Sequence, residues 1–362
     1  MKKLIQRLLI VCLLASACNK ANISEPVMAD NSPSEVANRT CASADILAAQ
    51  LLSDPALALR RNELEKFTPA AINNGLAQNF AATSITIPVV VNVLYNTPEE
   101  NISEQQIQSQ IDVLNEDFNR ANPDIIAVPS LYKKLKGDVG IRFVLSSVVR
   151  KQFNKKVWAP TDGMKRASGG GIDATDPEHK LNMWACNLGQ NLLGYAYYPG
   201  TVSPSIDGVV ILYSAFGSRE KYPAGSYISN YDLGRTATHE IGHWMNLVHI
   251  WGDDGGSCAG SDLVDDTPNQ ADENYRCPQF PAISCSNSGD MSMNYMDYTY
   301  DKCMYMFSKG QSERAKVLFF SRWPTCWLYT IIFPTAWFVA HEIVFSFFVS
   351  CATQLFKLIW CL

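Results

Sequence analysis

The chain of 362 residues has only five histidines, and Asp, Glu, Lys and Arg together make up only 18% of it. Its Lys and Arg are spread thinly. No basic cluster could neutralise a run of phosphates, so nucleic acid is excluded as a partner, and the formal net charge of −5 points the same way. The eleven cysteines include no CxxC pair, which weakens any reading as a cysteine-based structural zinc site. EF-hand spacing is also absent. The glycine run SGGGIDAT at 168–175 lacks the context of a phosphate loop and reads as a flexible connection.

Against that scarcity, three of the five histidines fall within eleven consecutive residues: His239, His243 and His249 in THEIGHWMNLVHIWGDD, 238–254. His239 and His243 are four apart. On a helix they share one face about one turn apart, the reach that two ligands of a single ion require. Glu240 then points beside the ion, placed as general base for an attacking water, the HExxH arrangement. A catalytic zinc takes three protein ligands and keeps one position open, and His249 is the candidate for the third. An unbroken helix would carry His249 off the shared face, so the chain has to turn sharply at Asn246. Asn is, after Gly, the residue most tolerant of left-handed backbone. The pattern resembles the extended metzincin motif HExxHxxGxxH, with Asn246 in the place of its Gly.

Together with DDTP at 265–268, NYMDYT at 294–299 and the cysteines between them, these residues resemble the pappalysin family of metzincin zinc metalloproteases, specifically its small ulilysin-like and cytophagalysin-like members. The likeness covers residues 39–318. It implies a metzincin-type zincin of the α/β (α+β) class, with a twisted mixed sheet, an active-site helix and a loop-rich C-terminal subdomain carrying a Met-turn at Met296. Met291 and Met293 read as plain core methionines. The implied activity is hydrolysis of peptide bonds in proteins by a zinc endopeptidase. The alternative is a non-catalytic, metal-containing surface module for binding or adhesion. Tyr298 would be the phenol that helps stabilise the tetrahedral intermediate, or else a packed aromatic. Asp301 would sit at the base of the pocket for the residue after the scissile bond and favour Arg or Lys there. Self-cleavage before a basic residue would then fall at Arg60, Arg61 or Lys66, because no other Lys or Arg follows Cys41 before Arg120.

An exported chain can keep disulfides. From spacing alone, Cys258, Cys277, Cys285 and Cys303 allow three pairings; the resemblance implies Cys258 with Cys285 and Cys277 with Cys303. The aspartates between His249 and the Met-turn suit calcium by their hardness, and the resemblance places such a site near Asp266, with a solvated acidic loop as the plain reading. Cys41, in RTCAS, matches a prosegment cysteine that caps the zinc and keeps the zymogen latent. A thiolate is a strong zinc ligand. Ala42 departs from the family's Gly there, and a stray cysteine is the rival reading.

The start, MKKLIQRLLIVCLLASAC, reads as an export signal over residues 1–17, with a basic head, an apolar stretch and small residues before Cys18. Cys18 resembles a lipoprotein processing site, with simple signal cleavage as the other reading. Residues 18–40 form a polar tether, 41–80 a short helical prosegment broken near Pro55, and 81–318 the catalytic domain. Within that domain, strands are predicted at 85–96, 141–149, 181–188 and 208–216. A helix with Ile107, Ile111, Leu114 and Phe118 on one face follows the first strand. Residues 319–362 change to an aromatic, apolar tail in which Pro324 and Pro334 interrupt an uncharged stretch. A membrane anchor, a docking segment, a sorting remnant and a shifted reading frame are the four readings.

Overall fold

The computed structural model describes residues 38–79 and 85–322. The signal, Cys18, most of the tether and the tail beyond residue 322 lie outside them. Among the described residues no helix is long and apolar enough to cross a membrane.

Residues 38–79 form two helices and one further turn of helix, α1 (Ser43–Ser53), α2 (Pro55–Asn73) and α3 (Leu76–Asn79). Pro55 breaks the helical run as expected, but it also begins something longer. It occupies the first turn of α2, where a missing N–H costs nothing, and the Asp54 side chain accepts from the backbone of Ala56 and Leu57 to cap that end. The helix therefore continues for 19 residues.

A five-stranded sheet follows, made of β1 (Ile85–Tyr95), β2 (Ile141–Gln152), β3 (Leu181–Cys186), β4 (Gly194–Ala196) and β5 (Val209–Leu212), in the order β2-β1-β3-β5-β4. All neighbours are parallel except β4, which runs antiparallel to β5 at the edge. Val89 to Leu94 are all buried, the mark of a strand covered on both faces. The helix after β1, α4 (Glu104–Asp117), is capped by Ser103 and buries Ile107, Ile111 and Leu114, with Phe118 just past its end. The expected strand at 208–216 is shorter than predicted: after Leu212 the chain enters a 3-10 turn. The glycine run is packed rather than loose, since Ile172 bonds to Met164 and its carbonyl accepts from Trp184.

From β5 the chain reaches α5 (Arg235–Trp244), which packs against β4 and β5. Beyond it lies the loop-rich half. Its regular structure is a two-residue parallel ladder of β6 (Tyr275–Arg276) with β7 (Tyr298–Thr299), before α6 (Lys309–Arg322) closes the described chain. Two disulfides, Cys258–Cys285 and Cys277–Cys303, cross this half in the pairing that the resemblance implied.

Candidate active site

All ten residues of α5 are buried, and its end decides the site. Asn246 adopts φ +69°, the Asn246 amide bonds to the His243 carbonyl (2.8 Å), and the Leu247 amide bonds back to Gly242 (2.9 Å). This is a Schellman termination with Asn in the left-handed position. It turns the chain so that His249 comes back to the face that His239 and His243 share. The Nε2 atom of His243 lies 3.1 Å from that of His239 and 3.0 Å from that of His249. For zinc bound at about 2.0–2.1 Å, tetrahedral ligand atoms stand about 3.3 Å apart, so the three nitrogens fit one ion.

The outward nitrogens explain why the inner ones are available. His239 Nδ1 faces the Tyr295 carbonyl at 2.7 Å, His243 Nδ1 faces the Leu247 carbonyl at 2.8 Å, and His249 Nδ1 faces Asp253 Oδ1 at 2.6 Å. Each is an acceptor, which assigns the ring proton to Nδ1 and leaves the Nε2 lone pair pointing inward. Burial and neighbouring imidazoles hold His239 and His243 far below the usual histidine range, so both rings are neutral.

Glu240 is buried beside this trio, where loss of solvent raises its carboxyl to about 7. Its Oε2 accepts from Ser43 Oγ at 3.0 Å and from Cys41 Sγ at 3.2 Å. Edge strand β4 passes so close that a Cβ at Gly194 would lie 2.8 Å from Glu240 Cγ, hence the glycine. Just before α1 the chain meets β4 through one isolated bridge: the Leu193 amide donates to the Thr40 carbonyl (3.0 Å), and Cys41 bridges Gly194 in parallel. Cys41 Sγ and the three histidine nitrogens all lie within 4.8 Å of one another. Burial and the Glu240 charge raise the thiol well above its ordinary range.

Met296 lies in the tight turn Asn294–Asp297, closed by the Asp297 amide on the Asn294 carbonyl (3.1 Å). Its sulfur packs where a side chain at Gly242 would stand, against the ligand-bearing helix. Met291 and Met293 are buried in a separate apolar cluster with Trp251 and Tyr298. The Tyr298 ring centre is 5.0 Å from that of His249, and its hydroxyl donates to the Cys41 carbonyl at 3.4 Å. Asp301 is fully buried, accepts from the Leu233 and Arg235 amides at the start of α5, and pairs with Arg39 Nη2 at 2.6 Å.

In the acidic loop, where calcium is expected near Asp266, the carboxylates accept hydrogen bonds from nearby chain. Asp266 accepts from Ser308 Oγ and from the Gly310 amide at 3.0 Å, tying down the start of α6. Asp254 receives the amides of Ser257, Ala259 and Gly260. These carboxylates satisfy backbone N–H groups that irregular chain leaves unpaired. Among the described residues the one group of three or more His, Cys, Asp or Glu able to hold a metal is the Cys41–His239–His243–His249 set.

Four contributors escape sequence reasoning: Asp253 and Tyr295 behind the ligands, Tyr198, whose hydroxyl is 3.0 Å from His243 Nδ1, and Arg39. Only Asp253 leaves a local signal, four residues after His249 in HIWGD.

The family model described as pregnancy-associated plasma protein-A, a peptidase family, matches residues 174–319. An extracellular metalloprotease of Arthroderma benhamiae is 34% identical over 263 residues, 68% of this chain and 78% of the relative; that of Pyricularia oryzae is 35% identical over 262 residues, 69% and 80%. A solved structure of a promirolysin variant from Tannerella forsythia shares 41% identity over 79% of this chain and 95% of its own, with a TM-score of 0.70. Mature mirolysin from the same organism, in complex with a cleaved peptide, shares 47% identity over 66% of this chain and 92% of its own, with a TM-score of 0.63. The chain belongs to this pappalysin family of extracellular zinc metalloproteases. It is an exported metalloendopeptidase acting on proteins or peptides, which displaces the reading as a non-catalytic binding module.

Proposed function

We propose that the structure represents the latent form of the protease and that its residues divide the work as follows. His239, His243 and His249 hold zinc, which when bound supplies Lewis acidity toward the scissile carbonyl and the attacking water. Glu240 takes the proton from that water on Oε2 and passes it to the leaving amine. Tyr298, which burial keeps protonated, donates from its hydroxyl toward the tetrahedral intermediate once Cys41 has gone. Cys41, whose Sγ lies within 4.8 Å of the three histidine nitrogens, would serve as a further ligand; it arrives on the removable segment 41–80, so it would act as a cap rather than part of a permanent structural site.

The cleavage preference is proposed to be Arg or Lys after the scissile bond, and one observation carries it. Arg39, only 1% exposed, already fills a pocket in which its Nη2 meets Asp301, its Nη1 meets Thr236 Oγ1 at 3.2 Å, its Nε meets the Thr299 carbonyl at 3.3 Å and its guanidinium lies over the Tyr231 ring. A pocket that accepts this chain's own arginine so fully is built for a cationic side chain. Of the self-cleavage candidates, Arg60 and Lys66 are exposed, whereas Arg61 is buried. The proposal also includes surface attachment through a lipid on Cys18, checked by labelling with a fatty-acid analogue.

The test is to digest a denatured protein with the processed enzyme and sequence the products. The expected cuts precede Arg and Lys, and Asp301→Asn lowers kcat/KM for such sites about tenfold or more relative to sites before Leu. Cuts without regard to the following residue would reject the assignment of Asp301.

A further inference from the structure

We infer that the catalytic body carries a second recognition site for the prosegment, formed by Asn246, Arg314 and Tyr198, which keeps α2 docked independently of Cys41. The inference rests on the latency reading above.

The site lies at the turn that joins the last two histidines. Backbone geometry at position 246 requires only a residue that accepts a left-handed conformation, which Gly would satisfy without a side chain. The amide that is present instead is fully buried, and both of its ends meet the prosegment. Asn246 Oδ1 accepts from Arg61 Nη1, and Asn246 Nδ2 donates to Glu65 Oε1 at 2.9 Å. Glu65 uses its other oxygen for Arg314 Nη2 at 2.7 Å, and it receives Arg61 Nη2 at 2.9 Å on the first. Arg314 in turn donates from Nε to the Asn246 carbonyl at 2.9 Å. The result is a closed ring of charge-assisted bonds spanning three segments of chain, with Arg314 and Arg61 almost wholly buried.

Two further contacts show that this is a docking surface and not a stray surface pair. The Arg61 guanidinium stands over the Tyr198 ring at 5.3 Å, and the hydroxyl of that tyrosine lies 3.0 Å from His243 Nδ1. Beside the ring of charges, Ala71 and Ala77 of the prosegment bury an apolar patch against Val317 of α6, with Leu64, Ile72 and Leu76 packed around it. The partner that fits is therefore an amphipathic helix presenting Arg and Glu four residues apart, next to an apolar stripe. Withdrawal of the thiol alone leaves all of this intact.

The test uses the full chain carrying Cys41→Ser, Glu240→Ala to prevent self-cleavage, and one engineered protease site within residues 80–84. After cutting, gel filtration follows whether the prosegment fragment co-elutes with the catalytic body. The expected result is retention at low salt and release at high salt, with affinity lowered about tenfold or more by adding Arg61→Ala and Glu65→Ala. Release of the fragment as soon as the chain is cut, or equal retention without those two side chains, overturns the inference. A separate measurement keeps the two readings apart: if the uncut wild-type chain cleaved peptide as fast as the processed enzyme, latency itself would fail, and this inference with it.

Discussion

The two halves that meet at the histidines are ordered by different forces. The half containing β1 to β5 and α4 is held by burial of apolar side chains, with Val89, Val91, Val93, Ile107 and Phe143 all at 1% exposure or less. The half from Ile250 to Ser308 buries a smaller apolar cluster, including Ile250, Trp251, Met291, Met293 and Met306, and has many left-handed residues, among them Asp253, Leu263, Arg276, Cys285 and Ser286. It is fixed also by disulfides and by aspartates acting as hydrogen-bond hubs. Asp297 alone receives Gln270, the Asn274 amide and side chain, and the Tyr298 amide. The sheet half seats α5, which gives His239, Glu240 and His243 a rigid helix, while the chain beyond α5 delivers His249, Met296 and Tyr298 on irregular backbone. A metal site spanning both needs the second half to be as well placed as the first.

The sharpest way to separate chemistry from this architecture is Glu240→Ala. Turnover should fall by about 10³-fold or more while zinc content and melting temperature of the processed enzyme stay near wild type, and retained turnover would remove Glu240 from the mechanism. Next in size is the loss of a disulfide. Each closes a loop of 26 or 27 residues, so replacing Cys258 and Cys285 by Ser should cost about 3.5 kcal/mol. The comparison predicts where that loss appears. Hydrogen exchange should quicken between residues 252 and 303 first and leave β1 and β3 protected, and uniform loosening would show that the halves are not separately ordered.

The smallest effect concerns Asp262, whose burial raises its carboxyl from the ordinary value to about 7. A carboxyl raised by folding favours the protonated form in the native state. Its contribution is therefore complete below about pH 4 and is lost as pH rises through about 7. Asp262→Asn, which keeps an acceptor for the Val264 amide and Thr267, should flatten the fall in stability across that window by about 1 kcal/mol or more. An unchanged slope measured by denaturant unfolding at pH 4, 5.5 and 7 would assign the dependence elsewhere.

Much of the site was legible because its determinants are local. The four-residue spacing of His239 and His243, the turn forced at Asn246 and the apolar face of α4 all depend on neighbours within a few positions. The cysteine pairing was not legible from spacing and came through resemblance. What stayed hidden depends on distant chain. The carbonyl that orients His239 belongs to Tyr295, 56 residues away, and a carbonyl has no sequence signature. Arg39 and Asp301 meet across 262 positions. The hydrogen-bond partners of the aspartates were hidden for a related reason: composition marks them as hard ligands, and only the fold shows which backbone amides they also receive.

Asp301 anchors the first turn of α5 and also receives the arginine in the neighbouring pocket. Under the proposed role of Asp301 in cleavage preference, a substitution there would also disturb the seating of the helix that carries two of the three imidazoles, whereas one at Tyr231, which lies against Arg39 but outside that helix, would leave the anchor in place.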